Sequence, residues 1–222
     1  YSPDLHLGIE ATSAFARLFG ALVLFLAPLE PAKSRLRWIA ASFTVLAASS
    51  LVYGFVPALT GHDLSINSAM YVSSITWSLA GLLILIGVGM RRPPEPSSWT
   101  LAGIMAAIVL APGALVALPW RLPRLVTIAD LQVEVARDQA ILGGMTVWHW
   151  AISAIPMAIA LLAVWAVARR NAADPLGGWL LIALVLFAGA QLHDMLWPSA
   201  YGPVLTASDL LELLCAGVVA VA

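Results

Sequence analysis

The sequence predicts an all-α polytopic membrane protein: a seven-transmembrane-helix bundle, N-terminus outside, with a short amphipathic interfacial helix between spans 4 and 5. Three observations carry this reading. Hydrophobic residues make up 61% of the chain and charged residues only 10%, too little polar surface to cover a soluble domain. The apolar residues fall in runs of roughly 20, the length that a ~30 Å hydrocarbon core demands of a helix. Lysine and arginine gather in alternate connections, as they do when the connections alternate between two sides of a membrane.

The spans fall at about 5–27, 36–58, 67–90, 99–119, 144–168, 177–196 and 203–222, and the whole of 1–222 reads as one transmembrane domain. Barrel strands are excluded because the runs are too long and lack strict alternation. Ser2-Pro3-Asp4 is a good helix start, with a capping hydroxyl, a proline in the first turn and an early acid. Breaks fall at Pro28/Pro31, Gly61-His62-Asp63, Pro93-Pro94-Glu95-Pro96, Asn171–Pro175 and Trp197-Pro198-Ser199. The connections are short, so sequential helices are expected to be antiparallel neighbours. The longest connection, 120–143, holds a further element. Thr127–Asp130 fits a capping box, and Ile128, Leu131, Val135 and Leu142 recur at helical spacing, which predicts an interfacial helix at about 127–141, the alternative being an irregular loop over the bundle mouth.

Orientation follows from the basic residues. Lys33, Arg35 and Arg37, then Arg91 and Arg92, then Arg169 and Arg170 lie in connections on one side, against Arg121, Arg124 and Arg137 on the other. The first side is therefore cytoplasmic, and span 7 runs inward. No cleavable signal precedes span 1: the segment has neither a basic start nor a small-residue cleavage site. Because the last run is still apolar at Ala222, the polypeptide is expected to continue beyond it. The single cysteine, Cys215, excludes an internal disulfide and suits small-residue packing.

This topology gathers polar residues at the outer side. All four histidines lie there, and so do nine of the twelve carboxylates. His6, Glu10, Ser13 and Arg17 share one face of span 1, while Thr206, Asp209, Glu212 and Cys215 line span 7. Arg17 sits roughly 18 Å into its helix, near the bilayer midplane, where a guanidinium needs a carboxylate or a watery cavity. Glu212 is the first choice of partner for a buried ion pair, with Asp209 or Glu10 next. The remaining constellation admits three readings. One is a structural network that fixes helix packing. A second is a Zn or Cu site drawn from His6, Glu10, His149, His193, Asp194 and Asp209, with imidazole and carboxylate as ligands. The third is a small-molecule pocket capped by Trp148, Trp150, Trp197 and Tyr201, set against the alternative of an interfacial aromatic belt. A bis-histidine haem between His149 and His193 would have only one matched pair.

Several classes are excluded. The sole lysine, Lys33, lies in a connection, so no span can form a retinal Schiff base. There is no glycine-rich phosphate loop, no nucleophile elbow, no catalytic motif and no basic patch for nucleic acid.

The stretch His193-Asp-Met-Leu-Trp-Pro-Ser-Ala-Tyr-Gly-Pro-Val-Leu-Thr-Ala-Ser-Asp209-Leu-Leu resembles the end of the multi-helix N-terminal membrane sensor regions of actinobacterial-type sensor histidine kinases, which are MASE-like. Those regions read His, a short apolar gap, aromatic-Pro-Ser, Tyr, then Asp-Leu-Leu before the final helix. The resemblance covers about 20 residues and implies a homodimer in the bacterial inner membrane. Such a homodimer would pass an ion or small-ligand signal through span 7 to a cytosolic kinase that would have to follow Ala222. The expectation is therefore a membrane-embedded sensory input domain. The alternatives are a metal- or haem-carrying redox or assembly protein and a small transporter, the last without repeat symmetry to support it.

Overall fold

A computed structural model of the chain describes residues 3–27, 33–56, 66–117, 122–125, 145–171, 175–196 and 207–221. Among these residues the architecture is helical, with no strand. The helices are α1 (Pro3–Leu26), α2 (Lys33–Ser49), α3 (Ile66–Gly89), α4 (Ser98–Ala117), α5 (Val147–Asn171), α6 (Pro175–Leu196) and α7 (Ala207–Val221). α2 runs directly into a six-residue π-helical segment, Ser50–Phe55. The interfacial helix expected at 127–141 lies outside the described residues.

The helix starts have local causes. α1 and α6 begin on Pro3 and Pro175, where the missing N–H would have been unpaired in any case. At the start of α4 the Ser97 hydroxyl accepts a hydrogen bond from the Thr100 N–H at 3.1 Å. Pro156 lies inside α5 and removes one rung of its hydrogen-bond ladder.

Among the described residues, four helical stretches are long and apolar enough to cross a bilayer: Lys33–Phe55, Asn67–Gly89, Val147–Arg169 and Gly177–Leu196. α1 contributes a shorter apolar stretch, Ala11–Leu26. The distribution of side chains suits a lipid environment. Phe15, Phe19, Leu22 and Leu26 of α1, Leu161 and Trp165 of α5, and Val185 of α6 face outward. Ser13, Arg17, Ser49, Ser50, Thr76, His149 and Gln191 are buried. An apolar exterior, with these few polar side chains kept inside an otherwise apolar core, fits a protein whose surroundings are hydrocarbon. Trp99 and Trp179 lie at one end of the bundle and Trp148 at the other, all exposed, as in an aromatic belt.

Six helices form a closed ring in the order α1, α2, α3, α5, α6, α7 and back to α1. α4 stands outside the ring, against α2 and α3. The expectation that sequential helices are antiparallel neighbours therefore fails at one place: α4 has no extensive contact with α5, and α3 takes that position. The long connection 118–146 leaves α4 and α5 free to separate, whereas the short connections elsewhere do not. α1 and α7, which close the ring, run parallel.

Small residues let the helices approach. Ala40, Ala47, Ala80, Ala160, Ala163, Ala183 and Ala190 are buried at helix contacts, the way helices associate when lipid competes for larger apolar surfaces. Gly81 is the tightest of these positions. A methyl group there would stand 2.7 Å from Cγ2 of Ile159, a β-branched side chain with little freedom to move. Gly81→Ala is expected to lower stability by about 1–3 kcal/mol through overpacking of α3 on α5. Gly178→Ala, which meets nothing within 4 Å, should leave the thermal midpoint in detergent nearly unchanged and serves as the control.

The two ends of the bundle differ. At the basic end, the Trp38 indole donates to the Pro94 carbonyl at 2.7 Å and Arg37 pairs with Glu95, fixing the connection between α3 and α4 over the start of α2. At the histidine end, residues 122–125 cross between α3 and the start of α5. The Leu125 N–H donates to Asn67 Oδ1 at 2.7 Å, the Tyr71 hydroxyl donates to the Pro123 carbonyl at 2.8 Å, and the Thr146 N–H and hydroxyl donate to the Leu125 and Arg124 carbonyls. Leu125 is fully buried against Met70, Tyr71 and Ile152.

Candidate functional site

The polar interior is concentrated around Arg17. A glutamate on α7 supplies its counter-charge: Arg17 Nη2 pairs with Glu212 Oε2, joining α1 to α7 across 195 residues of sequence. Nη1 donates to the Ser50 hydroxyl at 2.9 Å, joining α1 to α2. The guanidinium also lies 5.5 Å from the centre of the Trp77 ring on α3, within cation–π range. Arg17 is only 3% exposed and Glu212 16%, so the pair is removed from most solvent and its electrostatic attraction is little screened.

Local structure places each partner. Ser49 and Ser50 straddle the change from α to π geometry, and the two neighbouring hydroxyls serve different helices. Ser50 takes Arg17, while Ser49 and Thr76 of α3 share a hydrogen bond at 3.0 Å. The π segment ends with the Val56 N–H bonded to the Leu51 carbonyl, five residues back. Single π turns inside α-helices occur frequently at functional sites, because the wider turn re-aims side chains and loosens the regular ladder. Trp77 packs on Phe187 of α6 with ring centres 4.9 Å apart. The Cys215 thiol, one turn beyond Glu212, donates to the Ala183 carbonyl at 3.2 Å and locks α7 to α6. Together these contacts make one layer in which α1, α2, α3, α6 and α7 meet.

The interior at this layer is closed. A cavity bounded by Arg17, Phe43, Trp77, Phe187, Glu212 and Cys215 has a volume of only ≈10 Å³, about the size needed for one water molecule. The layer can hold charge and transmit displacement between helices. It has no room for an organic ligand.

A second polar group lies where α5 begins and α6 ends. The His149 ring is 1% exposed, and its Nε2 donates to the Met195 carbonyl at 2.9 Å. With a carbonyl as acceptor, the neutral ring carries its proton on Nε2, so Nδ1 is left as an acceptor. Among the described residues, His149 Nδ1, Gln191 Nε2 and Asp194 Oδ1 are buried atoms without a hydrogen-bond partner. His193 Nδ1 stands 4.0 Å from Asp194 Oδ1 on the same turn of α6.

The other residues singled out from the sequence are dispersed or lie outside this description. His149 and His193 do sit on neighbouring helices, but a carbonyl occupies His149 Nε2. Trp148 is exposed on the surface, and Trp150 meets the His149 ring edge-on at 5.6 Å. His6 and Glu10 belong to α1 and Asp209 to α7, with side chains outside the described part. Trp197 and Tyr201 lie outside the described residues. Among the described residues no three His, Cys, Asp or Glu side chains converge as metal ligands do. Two participants, Ser50 and Trp77, are absent from the sequence reading. The adjacent pair Ser49-Ser50 within an apolar run is the one faint trace of the first in the sequence.

Comparison with protein-family models, with curated proteins and with solved structures finds no match to this chain.

Proposed function

We propose that the chain is the membrane-embedded sensory input domain of a bacterial signalling protein, with α7 as the output helix and the Arg17–Glu212 pair as the element that sets its position. In this reading the seven helices are seven spans in the inner membrane, with the histidine end outside and the basic end in the cytoplasm. The resemblance of His193–Leu211 to the sensor regions of histidine kinases supports the class, and implies that the working unit is a homodimer. One observation carries the mechanism. A charge pair buried in an apolar bundle links the first helix to the last, on a parallel pair of helices that closes the ring.

The physical logic is differential stability. Burying an intramembrane ion pair costs nearly as much as the attraction returns, so such a pair suits setting the register between two arrangements better than holding a static fold. A stimulus at the outer end that favours one arrangement of α5, α6 and α7 would bias the contact by its difference in affinity for the two arrangements. The π segment beside Ser50 gives α2 a place to yield as Arg17 moves.

The test joins residues 1–222 to a reporter histidine-kinase core, with linker lengths covering one helical turn, and measures autophosphorylation in proteoliposomes. Glu212→Gln, which keeps the shape and removes the charge, is expected to change output severalfold in at least one linker phase. Equal output from wild type and Glu212→Gln in every phase would remove the proposal.

A further inference from the structure

The displacement of α4 from the ring leaves a groove of ≈320 Å³ on the bundle surface, between α1 and α4 with α2 as its floor. Its volume lies within the ~300–1,000 Å³ range of small-molecule sites. The walls are apolar, from Leu18 to Phe25 on α1 and at Ile104 on α4. The floor is shallow-chained, with Ala41 followed by Thr44, whose hydroxyl is already committed to the Ala40 carbonyl at 3.0 Å. Leu18 to Phe25 and Arg37 to Thr44 each span seven residues, so the groove is roughly 10 Å long, most of one ~15 Å leaflet.

One end is charged. The Arg37 guanidinium lies 5.2 Å from the centre of the Phe25 ring, closing the groove at the basic end of the bundle. Arg37 is 22% exposed and its Nε has no hydrogen-bond partner. Its Nη1 pairs with Glu95, itself 55% exposed. Lys33, Arg35, Arg91 and Arg92 share this end, so cations outnumber the Glu95 carboxylate among the described residues.

We infer that this groove binds an anionic phospholipid of the surrounding bilayer, its acyl chain lying along Leu18–Phe25 and its phosphate beside Arg37. An apolar trough about two-thirds of a leaflet deep, with a cation at the level of the headgroups, complements the upper part of such a lipid in both shape and charge. The inference rests on the reading that the helices span a membrane.

The protein is reconstituted in vesicles of equimolar phosphatidylcholine and phosphatidylglycerol, checked by flotation, then extracted and examined by native mass spectrometry. Wild type is expected to retain phosphatidylglycerol over phosphatidylcholine. Arg37→Gln should reduce that preference about fivefold, as expected for one basic residue at the membrane surface, while Arg37→Lys keeps it. Thr44→Trp, which fills the groove, should lose retained lipid of both kinds. Equal retention of the two lipids by wild type would overturn the inference, as would retention unchanged in Thr44→Trp. So would a shift in oligomeric state with Thr44→Trp at unchanged lipid retention, which would assign the groove to a second copy of the chain. Failure to float with the vesicles would defeat the membrane reading along with it. Flotation without retained lipid would defeat the lipid inference alone.

Discussion

Arg17→Met and Glu212→Leu are each expected to destabilise the protein by about 3–5 kcal/mol, because each removes one half of a charge pair in the bundle interior. The paired double substitution Arg17→Met/Glu212→Leu should recover most of that loss. Removing both charges removes the burial penalty along with the attraction, and apolar side chains of similar length keep the packing. Unfolding of the four proteins in detergent, monitored by circular dichroism, measures the cycle directly. Near-additive losses in the double substitution would show that the two side chains act independently, contrary to their contact on α1 and α7. The comparison also separates stability from signalling: the double substitution should restore folding without restoring a charge-dependent contact.

Trp77→Ala is expected to cost about 3 kcal/mol. In a bilayer the apolar transfer contribution to helix association is weak, so most of the cost arises from the cavity left behind. Trp77 is only 8% exposed, and it occupies the meeting point of Phe187, Arg17 and the small central cavity. Its loss should also weaken the hold on Arg17 by removing the ring face beside the guanidinium. Trp77→Phe keeps a ring and most of the volume, and should retain more than half of the lost stability. If Trp77→Ala and Trp77→Phe unfold alike, the ring face and its volume do not matter at that position.

Hydropathy located the helices well because a helix in lipid must hide its backbone, leaving few alternatives for a long apolar run. Two of its boundary errors share one cause. α2 begins at Lys33 and α5 continues to Asn171, each three residues beyond the apolar run, because charged residues at a membrane boundary stay helical while their heads reach water. Arg169 shows how, with its guanidinium 4.5 Å from the Trp165 ring. The place of Arg17 in the interior was legible from its isolation within an apolar stretch, and the choice of Glu212 followed from shared depth. The partners supplied by Ser50 and Trp77 were not, because neither carries a charge and an apolar run conceals them. The outward position of α4 was equally hidden. Nothing in its uniform apolar surface distinguishes a helix inside the ring from one beside it. The π segment has no hydropathy signature at all, since it changes the turn and not the composition.

The central claim is that the Arg17–Glu212 pair holds α7 in one position relative to α1. Spin labels at Phe15 on α1 and Leu214 on α7, both exposed, in a Cys215→Ser background that keeps a donor for the Ala183 carbonyl, report that relation in lipid nanodiscs by pulsed dipolar spectroscopy. One narrow distance distribution is expected for the wild-type pair, and a shifted or broadened one for Glu212→Gln. The same narrow distribution in both proteins would contradict the account.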